Sequence, residues 1–138
     1  NGMMQAGGLF YFAPDNLYAG GWTYLLQFHA LTGLILFFLG MGINLHSDHI
    51  IRHLRKPGDT RHYLPEKGLY RYVTSANYFG ELIEWTGFAV LTASPAAWVF
   101  VWWTFANLVP RADAIHRRYR EEFGAAVGCR KRIIPFIY

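Results

Sequence analysis

The first 51 residues of this chain contain no lysine or arginine, and the whole of it has one cysteine. A single thiol closes no internal disulfide, so a small disulfide-stapled fold is excluded, and so is a Cys-rich metal framework. Cys129 reads as a passive thiol. Internal repeats and low-complexity tracts are absent as well. Charge is scarce: Asp, Glu, Lys and Arg make up 16% of the residues, against roughly a quarter in ordinary globular domains.

What takes their place is apolar, at 53% hydrophobic and 18% aromatic residues, and it is blocked rather than scattered. Residues 22–45 carry no formal charge, a length that crosses roughly 30 Å of hydrocarbon at about 1.5 Å per residue. Residues 73–109 carry only Glu81 and Glu84 and are long enough to cross twice. The pattern predicts one all-α membrane domain over 1–138, a polytopic transmembrane helix bundle.

The net charge of +4 could suggest nucleic acid, but the positions of the basic residues argue otherwise. All thirteen lie in two blocks, six from Arg52 to Arg71 and seven from Arg111 to Arg132. Two crossings between them put both blocks on one side, and the positive-inside rule makes that side cytoplasmic, C-terminus included. Basic charge then reports topology, and no nucleic-acid partner is expected.

In order, residues 1–12 (NGMMQAGGLFYF) read as the end of a membrane helix begun upstream. Gly7 and Gly8 would allow close helix approach, and Gln5 an interhelical hydrogen bond. With Asn1 first and no signal peptide, the chain is expected to be the C-terminal portion of a longer protein. Residues 13–21 form a non-cytoplasmic turn, flanked by an aromatic belt of Tyr11, Tyr18, Trp22 and Tyr24. One long helix is predicted over 22–54. The loop 56–68 (KPGDTRHYLPEKG) follows, a connector or a lid, turned by Pro57, Gly58 and Asp59 and held extended by Pro65. A helix over 75–92 comes next. Ser94 is a favourable N-cap and Pro95 a favourable first residue for the last helix. That helix continues through PRADAIHRRYREEF, and the tail 130–138 (RKRIIPFIY) could lie on the membrane surface.

Three polar clusters stand at cytoplasmic helix ends. In GMGINLHSDHIIRHLR, at about 100° per residue, Asn44, Asp48 and Arg55 fall within roughly 40° on one helical face. In ANYFGELIEW, Asn77, Glu81 and Glu84 share a face; Glu81 could instead simply complement the helix dipole. The third cluster, Arg111, His116, Arg117, Arg118 and Tyr119, could be a solvated basic face. Brought to one mouth, the clusters combine carboxylates and amides for hydroxyls with guanidinium groups for phosphates. That donor set suits a phosphorylated, ribose-bearing cofactor. GMGINL is no dinucleotide fingerprint, since Leu45 holds its sixth place and no strand precedes it. His46, His49 and His53 beside Asp48 are half of a metal box without its other half; His29, His62 and His116 are isolated, and no metal site is expected.

GMGINLHSDHIIRHLRKPGDT, KGLYRYVTSANYFGELIEW and the IIPFIY end, in that order, resemble the C-terminal half of the steroid 5α-reductase family. The resemblance implies a seven-helix membrane fold, of which this chain would hold about four helices. It implies reduction of the 4,5 double bond of 3-oxo-4-ene steroids with NADPH, by hydride transfer to C5 and protonation at C4 while an acid polarises the 3-oxo group. The family's cofactor positions fall on Asn44, Asp48, Arg55, Asn77, Glu81, Arg111 and Tyr119, with His116 beside another; members often have a His pair where this chain reads Ile115-His116. The family's catalytic acid lies in N-terminal helices outside this chain. The resemblance further implies a steroid or similar enone lipid as substrate, membrane lipids as surroundings and a monomer. Its expected location is the endoplasmic reticulum in a eukaryote or the inner membrane in a bacterium. Rival readings keep the architecture and change the chemistry: a sterol or enoyl-CoA reductase, a prenylcysteine-type methyltransferase using S-adenosylmethionine, or a non-catalytic membrane scaffold.

Overall fold

The computed structural model describes residues 21–138. The helix end expected at 1–12, with Gln5, Gly7 and Gly8, and nearly all of the turn at 13–21 lie outside the described residues. Three α-helices carry the described chain: α1, Phe28–Arg52; α2, Ala76–Thr92; and α3, Pro95–Phe123. Short 3₁₀ turns stand at Gly21–Leu26, Gly68–Arg71 and Gly124–Val127. Among the described residues the extended pairing is one parallel bridge, Val73 to Lys131. The chain forms two compact units, and each α-helix gives one stretch to each.

The first unit takes its described residues from 21–41 and Glu81–Ala106. Apart from Tyr24, its buried hydrophobic side chains are small, Ala30, Ala89 and Ala97, whereas Ile35, Phe38, Leu39, Trp98, Val99 and Trp102 are exposed. A water-soluble domain arranges size the other way; close approach through small residues is the habit of helices packing in lipid. Gly33 and Gly87 let α1 and α2 touch backbone to backbone, since a Cβ on either would lie 2.3 Å from a main-chain nitrogen opposite. By length and composition α1, with its 25 residues, is able to cross a membrane, the one such helix among the described residues.

The expected 22–54 helix is interrupted at Gln27. The preceding turn buries Tyr24, whose hydroxyl donates to the Leu91 carbonyl at 2.7 Å. That carbonyl, at the end of α2, has no intrahelical donor, so the bond satisfies an orphan acceptor. Between α2 and α3, Ala93 takes φ 48, and α3 starts at Pro95 as expected. Ser94 caps with its backbone: its carbonyl accepts from the amides of Ala97 and Trp98, while its buried hydroxyl has no partner among the described residues.

The second unit comprises Gly42–Gly80 and Asn107–Tyr138. Its core is small, Ile50, Tyr70, Val73 and Ala76 with Leu69 packed against it, and polar clamps supplement it. The start of the tail, which the sequence suggests could lie on the membrane surface, is woven into the unit. Lys131 N–H donates to the Tyr72 carbonyl at 2.8 Å, Thr74 N–H to Lys131 at 2.8 Å and Ser75 N–H to Arg132 at 3.0 Å. Ile133 is buried, and Arg132 Nε reaches Asp113 Oδ1 at 2.6 Å. Pairing here satisfies backbone groups on both segments, and a fully exposed tail would forgo that gain.

Candidate functional site

α1 ends at Arg52, earlier than the sequence suggests. Its last turn is closed by His53, whose N–H and ring Nδ1 both meet the His49 carbonyl, at 3.1 and 2.8 Å, and Pro57 forbids resumption soon after. Asn44 and Asp48 therefore stand one turn apart on α1, both half-buried, while Arg55 lies in the loop beyond, exposed. The common helical face thus applies to Asn44 and Asp48 and does not extend to Arg55. Asp48 pairs with Arg52 at 2.6 Å.

The loop returns through Gly68, at φ 58, into the turn that places Tyr70. Tyr70 is wholly buried, and its hydroxyl points to Asn77 Oδ1 at 3.5 Å, in the first turn of α2. Burial above all raises its pKa beyond the ordinary tyrosine range, helped by Tyr119, Asp48 and Tyr78 and opposed by a backbone hydrogen bond from Asn77. Asn77 touches the phenol directly, and Asp48 on α1, Tyr78 on α2 and Tyr119 on α3 act on it electrostatically. Tyr119 is raised too, by burial first and then Glu122, while Arg118 and Arg55 pull it down. Arg55 therefore bears on this group from outside the helix.

His116, one turn before Tyr119 on α3, points into the unit. It is 6% exposed, with Nδ1 3.2 Å from Thr74 Oγ1. Burial chiefly, with Arg132 and Arg120, lowers its pKa, and Asp113 opposes; the ring is neutral at pH 7. Arg111 is exposed near the start of the basic stretch of α3. Glu81 is half-buried on α2, one turn beyond Asn77, and belongs to the first unit. The second unit so contains Asn44, Asp48, Arg55, Asn77 and Tyr119, and holds His116 and Arg111 on α3.

Sequence reasoning passed over Tyr70, because a residue in a polar loop is ordinarily taken as exposed. It also left the loop as connector or lid. The loop is braced: Asp59 accepts from Tyr63 Oη at 2.5 Å and from Arg61 N–H at 3.0 Å. His62 Nδ1 lies 3.2 Å from Glu122 Oε1, which also accepts from Arg118 Nε at 2.9 Å. Among the described residues no group of His, Cys, Asp and Glu is arranged to hold a metal.

A family profile described as 3-oxo-5-alpha-steroid 4-dehydrogenase matches residues 1–138. The chain is 47% identical over 137 residues to mouse 3-oxo-5-alpha-steroid 4-dehydrogenase 1, covering 99% of the chain and 52% of that protein. It is 43% identical over 137 residues to the bovine type 1 protein, covering 99% and 51%. To the human 3-oxo-5-alpha-steroid 4-dehydrogenase 2 it is 44% identical over 138 residues, covering 100% and 52%. The chain belongs to the 3-oxo-5-alpha-steroid 4-dehydrogenase family, and it spans about half the length of these curated relatives.

Proposed function

We propose that the chain supplies the cofactor-binding half of a membrane reductase that uses NADPH to saturate the 4,5 double bond of a 3-oxo-4-ene steroid or a similar flat enone lipid. The observation that carries this reading is the buried Tyr70 hydroxyl set on Asn77 Oδ1 at 3.5 Å, in the unit that also presents Asn44 and Asp48 half-buried one turn apart on α1. The donor set fits the cofactor's chemistry. Asn44, Asp48 and Asn77 accept from ribose hydroxyls and amide; Arg55 and Arg111 meet phosphates; Tyr119 offers a hydroxyl; the family's pattern adds His116 and, in the first unit, Glu81. NADPH, when bound, supplies the hydride. Tyr70 stays protonated and steadies Asn77, and the neutral His116 holds Thr74 and so the entry to α2. The catalytic acid belongs to a part of the protein outside this chain.

In the same reading α1, α2 and the apolar half of α3 cross the membrane, as part of about four of seven helices. The basic blocks and the C-terminus face the cytosol, across the endoplasmic reticulum in a eukaryote or the inner membrane in a bacterium, and the protein is monomeric. The exposed Phe38, Leu39, Trp98 and Trp102 support the lipid contact.

The test is NADPH titration of the purified whole protein, followed by nicotinamide fluorescence, with Asp48→Ala beside the parent. Losing a charged acceptor of about 1.5–3 kcal/mol predicts binding weaker by roughly 10- to 100-fold with an unchanged melt. Equal affinity in the variant would remove Asp48 from the site. Displacement of NADPH by S-adenosylmethionine would turn the reading toward a methyltransferase, and no steroid-dependent NADPH oxidation would defeat the reductase.

A further inference from the structure

A cleft in the second unit is not used by the site above. It holds about 490 Å³, walled by Arg71 and Tyr72 on one side and by 126–131 with Phe136 on the other. Its frame is fixed by the Tyr72–Lys131 and Thr74–Lys131 backbone bonds, and by Gly128 N–H donating to Ala125 at 3.1 Å. Arg130 is pinned into the wall: Nη1 donates to the Pro65 carbonyl at 2.9 Å, and Nη2 lies 3.6 Å from Glu66. Arg71 and Lys131 are exposed, with no ion-pair partner among the described residues. No carboxylate lines the cleft, so its mouth is a concentrated positive charge.

The apolar side of the same cleft is equally unusual. Phe136 has φ 67, a left-handed conformation that a bulky L residue adopts only when its surroundings impose it. They do: the Tyr138 carbonyl accepts from the amides of Ile133 and Ile134 at 2.7 and 2.9 Å, and Ile133 anchors the turn in the core. The outcome is a Phe136 ring 5.3 Å from that of Tyr72 yet 77% exposed, next to Ile137 at 75%. A strained turn that pushes two large apolar side chains outward beside free cations matches an interface where acyl chains meet acidic headgroups.

We propose that this cleft binds the headgroup of an anionic phospholipid of the cytoplasmic leaflet, with Arg71 and Lys131 on its phosphate and Phe136 and Ile137 among its acyl chains. The proposal rests on the membrane placement proposed above, and on neither the cofactor nor the reaction. A free phosphate would use the same cations but would leave the exposed apolar pair without a role.

Cys129 lines the cleft and is exposed, so it reports occupancy. The whole protein is placed in nanodiscs of phosphatidylcholine alone or with phosphatidylglycerol. Labelling of Cys129 by an uncharged, bulky maleimide is then followed by peptide mass spectrometry. Phosphatidylglycerol should slow labelling several-fold, with roughly a 5-fold loss of lipid preference for each cation removed in Arg71→Gln and Lys131→Gln. Phe136→Ser should weaken the protection, and the charge-keeping pair Arg71→Lys with Lys131→Arg should retain it. Equal labelling in neutral and anionic discs overturns the proposal, as does protection that survives the double Gln change. Equal protection by inorganic phosphate in detergent overturns the lipid as ligand. Should the Gln variants fail to fold, the parent decides: protection must fade with rising salt, and salt-independent protection refutes it. Failure to enter neutral discs at all would instead strike the membrane reading.

Discussion

Replacing Gly87 by alanine tests the packing of the first unit at its tightest point. The added Cβ would lie 2.3 Å from Phe37 N and 2.7 Å from the Gly33 carbonyl oxygen. Both obstacles are backbone on the facing helix, so no side-chain rotation relieves them. Ordinary contact starts near 3.4 Å, and the helices would have to part by about 1 Å, thinning dispersion contacts along the seam. Overpacking of this kind costs about 1–3 kcal/mol. Alanine's better helix propensity returns about 1 kcal/mol, too little to offset a clash with two main-chain atoms. The expected net is a loss of roughly 1–2 kcal/mol and a lower melting temperature in detergent. Gly42→Ala is the control, since a Cβ there meets nothing within 4 Å; propensity acts alone and should raise stability by up to about 1 kcal/mol. If Gly87→Ala melts at or above the parent, the backbone-to-backbone seam is not what sets the helix approach.

Other positions give further checks. Ser94→Ala removes a buried hydroxyl that bonds nothing among the described residues; thermal melts should show no loss, or a gain of up to about 1 kcal/mol, where a working cap would lose about as much. The folded protein depresses the His116 pKa, so it accepts a proton less readily than the unfolded chain. Stability is then intact above about pH 6.5 and declines as pH falls through the lower folded value, and His116→Gln should flatten that slope in melts across mild acid. Arg132 and Arg117 meet Asp113 at 2.6 and 2.7 Å, and the Arg132 hydrogen bond above all lowers its pKa. Its stabilising effect therefore persists above about pH 3.9 and is lost on acidification below it. At neutral pH Asp113→Asn should free the tail, read as faster tryptic cleavage after Lys131 and Arg132; an unchanged cleavage rate would deny the clamp.

The start of α3 at Pro95 was legible because proline has one comfortable place in a helix, and α1 because the absence of charge over 22–45 leaves few alternatives. Arg55 shows the limit of that kind of reading. Helical phase places it beside Asp48 only if the helix continues, and the chain leaves the α-helical ladder at Leu54, whose N–H turns to the Ile51 carbonyl at 3.3 Å, before Pro57. The pairing of the tail was hidden for a different reason. A window over RKRIIPFIY sees basic then apolar, the pattern of a surface anchor, but the partners that hold it are Tyr72, Thr74 and Ser75, more than fifty residues earlier. The same separation hid the packing of Gly33 on Gly87, since neither glycine differs locally from one that merely bends a chain. Tyr70 combines both difficulties, an apolar ring in a polar loop whose burial depends on α1, α2 and α3 arriving together. Local rules of charge and capping thus located the elements, while the contacts that shape the candidate site are long-range; the strained turn at Phe136 is closed by bonds within the tail, and the distant pairing with Tyr72, Thr74 and Ser75 decides where that turn is held.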